Sequence, residues 1–114
     1  MKVSVTFDIY SGRENPTWNL SVEDCKELIK RLVALPVAAK SINDGGLGYR
    51  GFSLIVSPDT LQKGTWNLRV FEKIILINKG SKKNCKDVHG LEKWLLLQAT
   101  KNGYGDIVKG IKPM

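Results

Sequence analysis

Apolar and polar residues alternate without a break from Lys2 to Tyr10. Val3, Val5, Phe7 and Ile9 fall in one phase and Lys2, Ser4, Thr6, Asp8 and Tyr10 in the other. A period of two in β-branched and aromatic residues predicts a strand with one buried face. Ser11-Gly12 ends it, and Asn15-Pro16 keeps the backbone extended, because a residue before proline avoids the helical region. The period then changes. Val22, Cys25, Leu28, Ile29, Leu32 and Val33 recur at spacings of three and four, the apolar stripe of a helix. Ser21 is a good N-cap, Glu23 and Asp24 suit the first turn, Lys30 and Arg31 suit the last, and Pro36 stops the helix. Cys25 falls on the stripe and reads as a small core residue.

Residues 37–49 read as a loop with a short helical turn around Val37–Lys40, leading through the glycine-rich Asn43–Gly48. Gly51–Ser57 is dense enough in apolar residues to predict a central strand. Ser57-Pro58-Asp59 opens a loop reaching Gly64, and Trp66–Ile77 is a longer extended stretch. Its alternation breaks at Glu72-Lys73, the expected place of a bulge or twist. After a turn at Asn78–Ser81, a last helix is expected from Asn84 or Asp87 to about Lys101. Leu91, Trp94, Leu95, Gln98 and Ala99 face inward, and Asn102-Gly103 is its stop.

The resulting order is β-α-β-β-α. It predicts one α+β domain over residues 1–114, with 103–114 as a loosely docked tail. The expected architecture is a two-layer α/β sandwich: a small mixed sheet with both helices on one face. The first helix would be a right-handed crossover between parallel strands.

Composition narrows this picture only a little. A chain of 114 residues, 42% hydrophobic and 25% charged, suits one hydrophobic core and lies far from the disordered range. No apolar run approaches the roughly 20 residues of a membrane span. The first residues lack the apolar segment of a secretory signal, so a soluble, cytoplasmic protein is expected, with export lacking an N-terminal signal left open. The formal charge of +7 favours anionic partners, or simply keeps a small domain dispersed. Two cysteines and one histidine, at spacings that match no zinc motif, predict neither a disulfide scaffold nor a metal site. A Cys25–Cys85 disulfide would need the two helices side by side and a compartment that is not reducing.

Four stretches carry candidate chemistry. Gly46-Leu47-Gly48-Tyr49-Arg50-Gly51 has the letters of a dinucleotide fingerprint, but it follows a loop and opens a strand, where the fingerprint requires a strand and then a helix. It reads as a hinge, and no cofactor is expected. Cys85 and His89 are the candidates for thiol chemistry: with Asn84 as N-cap, Cys85 would lie in a first helical turn and His89 on the same face. No orienting group accompanies them. Lys79, Lys82, Lys83 and Lys86 form a basic run suited to phosphates of a nucleic acid or another polyanion, although no aromatic residue interleaves them.

The loop of residues 11–18 carries Arg13, Asn15 and Trp18, and Tyr49 and Arg50 would join it at one end of the sheet if the first two strands are neighbours. Trp and Arg are common anchors of recognition surfaces. The same residues have a structural reading, in which Asn15 shapes the turn and Trp18 packs on the helix entrance. The sequence ranks a non-catalytic module binding a protein or polar ligand through these loops first. Polyanion binding through Lys79–Lys86 comes second, and a thiol enzyme using Cys85 and His89 third.

Overall fold

The computed structural model describes residues 1–10, 12–43, 48–57 and 64–111. Six strands form one sheet: β1 (Lys2–Phe7), β2 (Thr17–Asn19), β3 (Phe52–Ser57), β4 (Trp66–Phe71), β5 (Ile74–Asn78) and β6 (Lys82–Lys86). Their order is β2-β1-β3-β4-β5-β6, and every neighbouring pair is antiparallel. Three helices complete the described chain: α1 (Val22–Arg31), α2 (Leu91–Ala99) and α3 (Gly105–Lys109). Between α2 and α3, a π-type turn over Thr100–Tyr104 is broken by Gly103 at φ 95°.

This mostly-sheet α+β fold overturns the expected β-α-β-β-α sandwich with its small mixed sheet, and three local causes account for the difference. The loop after β1 contains a three-residue strand, β2, which pairs back on β1 with Trp18 opposite Val5. Glu72 and Lys73, expected as a bulge, both adopt positive φ (50° and 67°) and form the two-residue turn of a hairpin between β4 and β5. Lys82–Lys86, expected to enter a helix, is instead β6 on the far side of β5. Since β1 and β3 run antiparallel, α1 is not a crossover between parallel strands. The glycine-rich approach at Asp44–Leu47, the loop at Pro58–Lys63, Ser11 and the last three residues lie outside the described residues.

The register explains the core. Phe7, Phe52, Val70, Ile75 and Cys85 lie opposite one another across five strands, and Trp18, Val5, Leu54, Leu68 and Ile77 make a second row. Most of these side chains are buried, and with Cys25 and Leu28 of α1 and Leu91, Leu95 and Ala99 of α2 they build a single cluster. Tyr104, Ile107, Val108 and Ile111 pack partly buried against it. The other phase of each strand faces away from this core and is polar for the most part. One of its rows reads Thr17, Thr6, Ser53, Arg69, Leu76, Asn84.

The two longer helices, α1 and α2, start where side chains satisfy their first amides. Ser21 Oγ accepts from Asp24 N at 3.1 Å at the head of α1. At α2 the capping position is Gly90, and Asp87 reaches in from beyond β6, accepting from Leu91 N at 2.7 Å and Glu92 N at 2.9 Å. After α1 the chain lays Pro36–Ala38 along the outer edge of β6, with Lys86 N donating to Pro36 O and Ala38 N donating to Asn84 O.

One departure from regular pairing positions everything discussed below. Phe7 faces Phe52, but Asp8 faces two residues: its N–H donates to Gly51 O at 3.0 Å and its carbonyl accepts from Arg50 N at 2.8 Å. Gly51 is the extra residue of a bulge, at φ 84°. With strict alternation Arg50 would share the inward phase of Phe52. The bulge reverses the phase, so that Tyr49 turns inward to pack on Phe7, Phe52 and Phe71, and Arg50 comes out beside Asp8. A Cβ at position 51 would lie 2.0 Å from Val70 O and 2.8 Å from Phe71 Cβ, on a backbone that only glycine adopts freely. Gly51→Ala is therefore expected to lower stability by about 3 kcal/mol or more, from overpacking and left-handed strain together. Urea unfolding midpoints compared with wild type check this, and an unchanged midpoint would refute the bulge.

Candidate functional site

The residues singled out in the sequence divide into two groups. Asn15, Trp18 and Tyr49 serve the fold. Asn15 Oδ1 accepts from Ile9 N at 3.0 Å and Tyr10 N at 2.7 Å, closing the end of the loop onto the chain leaving β1. Trp18 is 9% exposed, edge-on to Phe52 and stacked on Tyr104 with centroids 6.0 Å apart. Tyr49 donates its hydroxyl to Glu92 at 2.5 Å. Arg13 and Arg50 are turned outward and meet at Tyr10: the Arg13 guanidinium lies 3.8 Å above the Tyr10 ring, and Arg50 Nη2 donates to the Tyr10 carbonyl at 2.8 Å. The structure thus brings Arg50 to the 11–18 loop, as the neighbouring positions of β1 and β3 require, and leaves Trp18 and Tyr49 on the core side.

The thiol pair rested on a helix that does not form there. Cys85 is in the middle of β6, 1% exposed, and its thiol is free. His89 is exposed beyond the strand, with Nε2 2.9 Å from Val33 O at the end of α1. The lysines expected on a loop are likewise on or beside β6. Lys82, Lys83 and Lys86 are exposed, with Lys82 and Lys86 in the outward phase and Lys83 in the other, and Lys79 Nζ sits 4.1 Å from the centre of the Trp66 ring. Gly46 and Leu47 of the glycine motif lie outside the described residues, and Gly51 is the bulge residue.

Two hollows mark the described surface near the bulge. The larger, about 460 Å³, has Ile9, Phe71, Ile107 and Ile111 among its walls, with Tyr49 and Glu92 as its inner polar groups. Those groups already satisfy each other: Glu92 accepts from Tyr49 on one oxygen and from Lys73 N at 3.3 Å on the other. The smaller, about 280 Å³, is polar and lined by Asp8, Arg50, Ser53 and Arg69. Ser53 and Arg69 are cross-strand partners in the outward phase, so their side chains rise next to each other. Asp8 lies diagonally beyond Ser53 and accepts its hydroxyl on Oδ2 at 2.6 Å. Arg69 Nη2 donates to the Arg50 carbonyl at 3.2 Å, which ties β4 to the bulge. Arg50 Nε is buried without a hydrogen-bond partner among the described residues. An N–H left unmade in this way is unfavourable by about 1–3 kcal/mol, and an acceptor reaching it would recover part of that.

Asp8, Ser53 and Arg69 were not singled out by sequence reasoning. Their only local mark is a polar residue in the outward phase, within a strand at Ser53 and Arg69 and directly after one at Asp8. The six strands contain no Asp or Glu, so an acid directly after β1 was the one signal available. Among the described residues no three His, Cys, Asp or Glu side chains gather as a metal site, and no helix is long and apolar enough to cross a membrane. No protein-family model matches the chain, and no curated protein or solved structure matches it significantly.

Tyr49 gives this end of the molecule a pH dependence. Burial, then its hydrogen bond to Glu92, raises its phenol far above the ordinary value of 10.0. In the unfolded chain the phenol ionises near that ordinary value, whereas in the folded chain it stays protonated. The contribution of this group is therefore complete below about pH 10 and is lost as pH rises above it. Urea unfolding from pH 8 to pH 11 should show stability falling above about pH 10, with a shallower fall in Tyr49→Phe. Equal slopes in the two proteins would remove Tyr49 as the cause.

Proposed function

We propose that the protein is a small non-catalytic recognition module that holds an anionic group of a polar ligand in the hollow of Asp8, Arg50, Ser53 and Arg69. The observation that carries this reading is that Arg50, whose Nε is buried without a hydrogen-bond partner among the described residues, lines one open hollow together with Arg69. Planar guanidinium forks match carboxylate and phosphate oxygens in a way that single ammonium groups do not. A further guanidinium, that of Arg13, is stacked on Tyr10, whose carbonyl accepts from Arg50. A binding role is favoured over catalysis by the donor set. Ser53 donates its hydroxyl to the Asp8 carboxylate, and no histidine adjoins it to serve as a general base. The chain's one histidine is held at Val33.

A second reading has one observation behind it. Lys82 and Lys86 share the outward face of the sheet with Arg69, so an extended polyanion lying across that face would meet all three. The first reading is preferred because it uses a concave site with oriented donors, while the lysines of β6 stand exposed on a strand.

One experiment separates them. Backbone amide shifts are followed by NMR as the protein is titrated with inorganic phosphate, succinate, or a single-stranded oligonucleotide. The module reading expects saturable shifts around residues 8, 50, 53 and 69 with the small anions, weakened at least about tenfold by Arg50→Lys or Arg69→Ala. It expects no effect of Lys82→Glu with Lys86→Glu on that binding. Shifts confined to the oligonucleotide, falling steeply with salt and abolished by the lysine substitutions, would replace the first reading with the second. No saturable shift with either small anion would overturn the first.

A further inference from the structure

We propose that the larger hollow is a binding site for an organic ammonium ion, an apolar body whose cationic head meets Glu92 and Glu72. This site is separate from the polar hollow, and it does not depend on what that hollow holds.

The chemistry of the walls points to such a guest. Ile9, Ile107 and Ile111 line the hollow together with Tyr49 and Phe71, and its two charged lining residues among those described, Glu72 and Glu92, are both carboxylates. In a chain with 18 basic and 11 acidic residues, that reverses the overall balance. Glu92 is held firmly. It lies in the first turn of α2, accepts the Tyr49 hydroxyl on one oxygen and accepts from Lys73 N at 3.3 Å on the other. These bonds fix the carboxylate without setting a formal positive charge against it. Each of its oxygens has two lone pairs, so each keeps an acceptor position beyond the bond it already makes. Neither Glu72 nor Glu92 forms an ion pair among the described residues.

The rings add a second attraction for a cation. Tyr49 and Phe71 meet edge-on, with planes at 79° and centroids 5.5 Å apart, so two aromatic walls form a corner of the hollow. Aromatic faces attract cations, most of all cations stripped of water. A neutral apolar guest would gain the same contact with the isoleucines. It would also lay hydrocarbon over the Glu92 carboxylate, which is unfavourable for a charge left without a partner. An anion would meet two carboxylates at close range. An organic ammonium matches every wall, with its body on the isoleucines and its head between the rings and the acids. The net charge of +7 does not reverse this, because charges more than about 8 Å away are largely screened at physiological salt. The volume, about 460 Å³, lies within the range of small-molecule pockets and admits a ring or short chain beside the ammonium.

The test titrates the full chain at neutral pH, where an alkyl amine is protonated, with three probes of similar shape. These are benzylammonium, benzyl alcohol, which is neutral, and benzoate, which is anionic. Amide shifts at residues 9, 72, 92 and 107 report binding. Benzylammonium is expected to shift them saturably and to bind at least about tenfold more tightly than benzyl alcohol, and benzoate is expected to give no saturable shift. Glu92→Gln, which keeps an acceptor for the Tyr49 hydroxyl, is expected to cut the preference for the ammonium to about threefold or less. Should that variant fold poorly, Glu72→Gln on the exposed hairpin turn is expected to weaken benzylammonium about threefold and leave benzyl alcohol unchanged. Benzyl alcohol binding as tightly as benzylammonium, or a preference that neither substitution reduces, would overturn the assignment of the cation. No saturable shift with any probe would overturn the site itself. The polar hollow is read at other residues, so either site can fail alone.

Discussion

A single chain position facing two residues sets the layout of this end of the molecule. Asp8 bonds to both Gly51 and Arg50, and the phase of β3 changes there. Ahead of the bulge the aromatic Tyr49 is delivered to the core and the cationic Arg50 to the outside. The requirement falls on one glycine, because β4 lies so close that even a methyl group would collide with the Val70 carbonyl. The packing of the core and the lining of the polar hollow thus depend on the same backbone event. Tyr49 meets Phe7, Phe52 and Phe71 edge-on while Phe7 stacks on Phe52, and on the other face Arg50 lines a hollow with Asp8.

The two phases of the sheet have different chemistry because they have different neighbours. Inward positions meet α1 and α2 and are apolar almost throughout, so each is stabilised by the area it removes from water. Outward positions bear hydroxyls, amides and cations that pair along the rows, as Thr6 and Thr17 do at 3.2 Å. Exposed pairs of this sort contribute little to stability, which leaves their identity open to other demands. Asp8, Ser53 and Arg69 occupy this permissive phase, and their mutual placement comes from register, a property of the folded sheet.

Register is also what the sequence hid. The period of two over Lys2–Ile9, the helical stripe from Val22 and the apolar run from Phe52 are local patterns, and β1, α1 and β3 follow them closely. β2 is only Thr-Trp-Asn, too short to show a period, and exists because Val5 and its neighbours supply a ladder. β6 reads Lys-Lys-Asn-Cys-Lys, poor in strand-forming residues, and is held by β5 on one side and Pro36–Ala38 on the other. The lysines read as a basic run lie on this strand or, for Lys79, just before it. For the site, Arg50 was visible as a charge at a strand entrance. Asp8, Ser53 and Arg69 come from three separate strand regions, and no local pattern marks three residues that only pairing unites.

The stretch from β2 through α1 to Pro36–Ala38 begins at one margin of the sheet and ends at the other. A sheet with two bare margins invites pairing with another chain, and here one margin is only three residues long while part of the other is occupied by the same continuous segment. The cost appears in the order of assembly. β3 to β6 are sequential neighbours joined by short-range connections, but β1 must find β3 across almost half the chain, a closure that is slow by its loop length. Until that ladder closes, Val3, Val5 and Phe7 have no core to enter, and the nascent chain carries its most regular apolar strand uncovered.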